Sequence, residues 1–167
     1  MIPAQRKIHC GYCGHAFREE QAWPRQCRSC EQVSYLNPLP VGVVLVPVDD
    51  GLICIRRTIE PARGELALPG GFLEVHETWQ EGCARELWEE TGLRVAPGDV
   101  TLFRADSDTE RGVLIVFGLV PPRSSRDLLP FRTNDEVSEF HILNRPHTLG
   151  FPLHTRAMQE YFDRRPR

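Results

Sequence analysis

Residues 71–93 read GFLEVHETWQEGCARELWEETGL, and most of what can be said about the chain starts there. Thr78 is followed three residues later by Glu81, the pair that closes a capping box at a helix N-terminus. Gly92 stands where a left-handed C-terminal residue is favoured. The spacing therefore predicts a helix over about residues 78–91. At about 100° per residue, Ala84, Leu87, Trp88 and Thr91 share one side, the expected core face, and Glu86, Glu89 and Glu90 gather on roughly the opposite side. Like charges four residues apart, such as Glu86 and Glu90, cost an isolated helix about 0.2–0.5 kcal/mol. Such a cluster is either a solvated acidic face or a hard-oxygen site for a divalent cation. Mg²⁺ suits the second reading, because it takes octahedral oxygen ligands and keeps waters or substrate phosphates among them. Gly70 and Gly71 follow Pro69 and precede the strand-like Phe72-Leu73, and paired glycines let the backbone come close to an ion and to phosphates.

The same stretch fits the spacing G-x5-E-x7-R-E-U-x-E-E-x-G-U, with U a bulky apolar residue. Gly71, Glu77, Arg85, Glu86, Leu87, Glu89, Glu90, Gly92 and Leu93 fill every fixed position. On that match the chain resembles the Nudix hydrolases, which cleave diphosphates linked to a second moiety with Mg²⁺ or Mn²⁺. The resemblance implies an α/β/α sandwich around a mixed sheet. It implies a metal site made of Glu86, Glu89 and Glu90, joined by the backbone carbonyl of Gly70, and an Arg85–Glu77 pair that steadies the loop before the helix. Hydrolysis also needs a general base, for which Glu90, Glu136 and Glu139 are the candidates. Arg56, Arg57 and Arg63 are candidates for binding phosphate or a charge on the second moiety.

The 167 residues suffice for one good core plus a small module. A net charge of −3 gives no electrostatic footprint for nucleic acid or a membrane surface. No apolar run reaches the ~18 residues needed to span a bilayer, and the N-terminus shows no signal-peptide core, so a cytoplasmic protein acting on a small nucleotide is expected. A homodimer stays open.

Four of the six cysteines form two CxxC pairs, Cys10/Cys13 and Cys27/Cys30, and their separation suits a zinc ribbon. A closed four-thiolate site of this kind is structural, because it leaves no position for substrate. Cys54, in an apolar strand, and Cys83, in the helix, read as buried small hydrophobes.

The order of elements follows. Residues 1–34 are the ribbon, which depends on metal to fold, and residues 35–167 form the main domain. Asn37-Pro38-Leu39-Pro40 is a stiff linker. Strands are expected at 41–46, 52–57, 66–68, 100–104, 112–120 and 136–143, with a turn at Asp49-Asp50-Gly51. The acidic stretch 105–111 reads as a solvated connection and 121–133 as a longer loop. A last helix is expected over 152–163, with Pro152 in its first turn and Leu153, Ala157 and Tyr161 inward.

Within the family, an N-terminal zinc ribbon is similar to that of the NADH pyrophosphatases. Those carry a second signature, SQPWPFPxS, and no such segment follows Leu93. The chain more closely resembles zinc-ribbon members that cleave FAD and ADP-ribose, through the NPLP linker into VGVVLV, the stretch RRTIEPARGELALPGGFLEV and the segment EVSEFHIL. The expected function is thus metal-dependent hydrolysis of an FAD- or ADP-ribose-type substrate with release of AMP. NADH hydrolysis, RNA-cap removal and non-catalytic nucleotide binding are the alternatives.

Overall fold

The computed structural model describes residues 8–128, 130 and 133–165. Residues 1–7 of the expected ribbon, and residues 129, 131 and 132 of the expected 121–133 loop, lie outside these. The ribbon contributes a short antiparallel pair, β1 (Arg25–Gln26) and β2 (Val33–Ser34).

The rest of the chain is built around β3 (Leu39–Leu45). It runs parallel to β9 (Val113–Leu119) and antiparallel to β7 (Gly70–Phe72), and β8 (Thr101–Asp108) closes a four-stranded mixed sheet on the far side of β9. A second sheet pairs β5 (Gly51–Arg57) with β4 (Pro47–Val48), β6 (Leu66–Ala67) and β10 (Val137–Leu143). Two helices pack on this frame, α1 (Trp79–Thr91) and α2 (Pro152–Asp163).

Val43 to Val46 are each fully buried, and the alternation of strand side chains explains why. Val43 and Leu45 join Phe117, Leu52, Ala157 and Met158 in a core on the α2 side. Val44 and Val46 join Ile53, Cys83, Leu87, Val100 and Val120 on the α1 side. A strand covered on both faces reads as a continuous apolar run rather than an alternating one. The result is the expected α/β/α sandwich with a mixed sheet.

Three readings need correction. Strand β8 continues through Ala105–Asp108, so the acidic connection shrinks to its last few residues. Asp106 is matched locally by Arg104 at 2.5 Å, and Arg104 also pairs with Glu160 of α2. Asn37–Pro40 is not all linker, because Leu39 and Pro40 already pair with Val113 and Leu114. Finally, α1 is rotated from the expected orientation. Trp88 is 47% exposed and Ala84 only half-buried, whereas Gly82, Cys83, Glu86, Leu87, Glu90 and Thr91 face inward. Gly82 lets the helix seat against Leu73 and Glu77, since a Cβ there would lie 2.3 Å from Leu73 Cδ2 and 2.8 Å from Glu77 Oε1. No helix among the described residues is long and apolar enough to cross a membrane.

Candidate active site and cysteine centre

Helix α1 begins as its sequence dictates. Thr78 Oγ1 accepts the Glu81 N–H at 3.2 Å, and the Glu81 carboxylate accepts the Thr78 N–H at 2.7 Å. At the other end Gly92 adopts φ 75° and donates its N–H to Trp88 O at 2.8 Å. Thus anchored, the helix carries Glu86, Glu89 and Glu90 to one wall of a cavity of about 720 Å³, which Gly70, Gly71, Arg85 and Glu136 also line.

The glycine pair is explained by close approach. Gly70 has φ 151°, and a Cβ there would stand 2.3 Å from Gly42 O. At Gly71 a Cβ would stand 2.5–2.6 Å from the Glu86 carboxylate. At Gly70 the obstacle is backbone, which cannot yield; at Gly71 it is the Glu86 carboxylate, which a side chain would push aside. The Gly70 N–H donates to Glu90 Oε2 at 2.8 Å.

Arg85 organises the other carboxylates. It binds Glu77 through two hydrogen bonds of 2.8 and 3.1 Å, Glu86 at 2.7 Å and Glu89 at 3.0 Å, and it donates to Phe72 O at 3.0 Å. This fork-to-carboxylate geometry is the strong form of such bonds. Arg85 holds the Glu77 carboxyl below its ordinary range, and Glu77 in turn raises the Arg85 pKa. At Glu86, burial outweighs the same arginine and raises the pKa. Glu90, 3% exposed, is pushed up to about 8 by burial, with the charges of Glu86 and Glu136 adding to the effect.

Two buried acids, a third beside them and too little positive charge to match make a donor set of hard oxygens that fits a divalent cation. The three glutamates line one wall, yet their oxygens do not draw together as tightly as the cysteines do. Among the described residues only Cys10, Cys13, Cys27 and Cys30 bring three or more ligand atoms within 4.8 Å of one another.

The remaining candidates are sorted by strand alternation. Adjacent residues of β5 point to opposite faces. Arg57 lines the cavity. Arg56 instead binds Glu139 at 2.7 Å and Gly64 O at 2.9 Å, and neither Arg56 nor Glu139 is on the cavity wall. Arg63 is exposed and also off that wall. Of the three arginines, the structure thus brings only Arg57 to the site. Glu136 does line it, on a turn set by Asn134 Oδ1, which accepts the N–H groups of Glu136 and Val137 at 2.9 and 2.8 Å. The Asn134 amide donates to Glu89 O at 2.8 Å and ties that turn to α1.

Sequence reasoning missed Asn134, Arg111, Phe151 and His154, all on the cavity wall. His154 is buried; its Nδ1 accepts the Leu68 N–H at 3.3 Å, and burial pushes its pKa down to about 3.

The cysteine centre is separate. The Sγ atoms of Cys10 and Cys30 are 3.7 Å apart, and those of Cys13 and Cys27 are 3.6 Å apart. Both CxxC turns are built alike: the N–H four residues after the first cysteine returns to its carbonyl, Gly14 to Cys10 and Glu31 to Cys27, at 2.9 Å each. Both turn residues have positive φ, 74° and 60°. The backbone N–H groups of Cys30 and Ser29 favour the thiolate of Cys27 and help bring it down to about 6. Four sulfurs so placed are compatible with tetrahedral zinc. Cys54 and Cys83 are fully buried in the core, and burial pushes each thiol up to about 12.

Comparison with known proteins agrees with this geometry. The NUDIX domain profile matches residues 36–162, and the chain belongs to that family of hydrolases. A MutT-like protein of Streptomyces ambofaciens is 39% identical over 111 residues, covering 62% of this chain and 69% of that one. The NAD-capped RNA hydrolase NudC of Edwardsiella ictaluri is 37% identical over 87 residues, covering 52% of this chain but 34% of its own length. The match thus spans about a third of that relative. Among solved structures, a NUDIX hydrolase from Nitrosomonas europaea superposes with a TM-score of 0.74 at 23% identity, covering 94% of this chain and 91% of that one. A MutT protein from Methanosarcina mazei Go1 gives 0.61 at 25% identity, with 78% and 97% covered.

Proposed function

We propose that the protein hydrolyses an ADP-containing diphosphate of the FAD or ADP-ribose type, releasing AMP and a second phosphomonoester. The observation that carries this reading is the pair of buried carboxylates, Glu86 and Glu90, on the wall of a cavity large enough for a nucleotide. Glu86, Glu89 and Glu90, with the Gly70 carbonyl, are the residues that would hold Mg²⁺ or Mn²⁺. When bound, such a cation neutralises charge on the phosphates and lowers the pKa of a bound water. Arg85 keeps Glu86 and Glu89 in place, and the Gly70 N–H fixes one oxygen of Glu90. The water oxygen attacks one phosphorus, the bridging P–O bond breaks, and the departing phosphate takes the electron pair. We assign the water proton to Glu136, whose support is its exposed position on the same wall. Zinc held by Cys10, Cys13, Cys27 and Cys30 has a structural role in this scheme.

The preference for an ADP moiety rests on the likeness of the linker and strand segments to zinc-ribbon members of the family. A second reading, removal of a nicotinamide-dinucleotide cap from RNA, is favoured by the similarity to the NAD-capped RNA hydrolases. Side-by-side measurement of kcat/KM for FAD, ADP-ribose, NADH and an NAD-capped RNA, with Mg²⁺ and with Mn²⁺, tests both. FAD or ADP-ribose should lead, with AMP as a product that vanishes on chelation. A clear lead for the capped RNA or NADH would replace the first reading with the second. Hydrolysis of none of the four would overturn both.

A further inference from the structure

The cavity lining also carries an arrangement that the hydrolytic machinery does not use. The guanidinium of Arg57 lies 5.3 Å from the ring centre of Phe151, and that of Arg111 lies 4.9 Å from the same centre. All three residues line the cavity. Phe151 is the N-cap of α2, so the ring is fixed at the start of a helix that no side chain caps. Beyond the ring, His154 stands with its ring centre 4.8 Å from that of Phe151.

The hydrogen bonding of the arginines shows what is left over. Arg57 donates its Nε to Pro61 O at 2.9 Å, and its two terminal nitrogens have no acceptor among the described residues. Arg111 has Asp108 nearby, but its Nε lies 3.9 Å from Asp108 Oδ2, too long for a hydrogen bond, and the other carboxylate oxygen, Oδ1, accepts the Arg111 backbone N–H at 2.9 Å. Arg85, the third arginine on the cavity wall among the described residues, is consumed by Glu77, Glu86 and Glu89. Among the described residues, Arg57 and Arg111 are the two cavity-lining arginines with donors to spare. A guanidinium held against an aromatic ring keeps its N–H edge free and loses little rotamer freedom on binding an anion in plane.

We propose that Arg57 and Arg111, held by Phe151, form an anion clamp for a phosphate of the substrate. The inference rests on the diphosphate reading above and adds the residues that set the substrate's direction in the cavity. A diphosphate is then held by both sets of residues, the carboxylates and the two arginines. Phe151 is a positioning residue in this scheme, acting only through the two arginines.

The test is the steady-state kinetics of Arg57→Ala, Arg111→Ala, Arg111→Lys, Phe151→Leu and Phe151→Tyr with the best diphosphate substrate, each variant first shown to unfold at the wild-type temperature within about 3 °C. A lost charge-assisted bond corresponds to about tenfold or more in affinity. Each alanine variant should raise KM about tenfold or more and change kcat less than about threefold. Arg111→Lys should recover part of the loss. Phe151→Leu should behave as a weaker arginine variant, and Phe151→Tyr, which keeps the ring, should restore wild-type KM. Folded alanine variants with wild-type KM would overturn the clamp while leaving the hydrolase reading intact. If the wild type cleaves no diphosphate, titration of inorganic diphosphate by calorimetry decides the clamp separately. Binding by wild type that Arg111→Ala weakens tenfold supports it, and equal binding, or none by wild type, overturns it.

Discussion

Replacing Arg85 by alanine isolates the physical problem this site solves. The change removes one guanidinium and leaves three carboxylates facing one another. Glu77 loses two hydrogen bonds of 2.8 and 3.1 Å, Glu86 one of 2.7 Å and Glu89 one of 3.0 Å. These groups are not equally wet: the side chains of Glu77 and Glu86 are 14% and 12% exposed, whereas that of Glu89 is 47% exposed. The Glu89 contact therefore contributes little, as exposed pairs do. Removing one partner of a fully buried pair costs about 3–5 kcal/mol. Arg85 is itself 24% exposed, so about 2–4 kcal/mol is the expected loss after allowing for solvent screening. For a chain of this size that lowers Tm by about 5–15 °C.

The magnitude should depend on what replaces the lost charge. Arg85→Lys keeps the cation but not the fork that grips Glu77, so it should fall about midway. Millimolar Mg²⁺ should restore more stability to Arg85→Ala than it adds to wild type, because a cation among unpaired carboxylates relieves the same repulsion. Thermal unfolding followed by circular dichroism, with and without Mg²⁺, reads both effects. An Arg85→Ala protein melting within about 2 °C of wild type would refute the claim that this arginine offsets the acidic wall.

Glu90→Gln should lower kcat by about tenfold to a hundredfold or more while Tm stays near the wild-type value, since it removes a ligand for the cation but replaces a carboxyl that burial already holds largely uncharged at neutral pH; turnover at the wild-type rate would sink the assignment of the carboxylate wall. His154, with a folded pKa near 3 against an ordinary 6.5, binds a proton more readily in the unfolded chain. Its contribution is therefore complete above pH 6.5 and is lost as pH falls from there toward 3. Urea unfolding at pH 7 and pH 5 should show a loss of about 2 kcal/mol from this residue, accrued at about 1.4 kcal/mol per pH unit below pH 6.5, seen as a difference between wild type and His154→Asn; identical pH slopes in the two proteins would refute it. Metal analysis should find one zinc per chain, and Cys27→Ser should lose it while the kcat of the main domain changes less than about twofold; a native disulfide, or no zinc in wild type, would count against the cysteine centre.

What the sequence made legible, and what it did not, divides by the range of the interactions concerned. The capping box of Thr78 and Glu81 and the left-handed Gly92 are set by neighbours within a few residues, and the structure repeats them. The two CxxC turns are equally local. The orientation of α1 was not legible, because it is set by contacts remote in sequence. A pattern reading sends Trp88 inward and the glutamates outward, as hydrophobicity alone demands. The helix instead turns Glu86 and Glu90 toward β7 and leaves Trp88 on the surface, with Arg94 5.2 Å over its ring. The inward set of Gly82, Cys83, Glu86, Leu87, Glu90 and Thr91 has helical periodicity but not apolar character. That conflict between pattern and burial is itself informative, since sequences depart from local rules where function requires it. Arg56 and Arg57 repeat the lesson on a strand. Their period of two puts them on opposite faces, yet only the fold shows which face holds the cavity. Arg111 and Phe151 could not be paired from sequence, because one follows β8 and the other opens α2. The three helix glutamates are thus written in one contiguous segment, while Glu136 and the Arg57–Phe151–Arg111 group come from distant ones. A substrate held by that group is recognised by residues the box does not contain, so members sharing the box can differ in specificity without changing the machinery that breaks the bond.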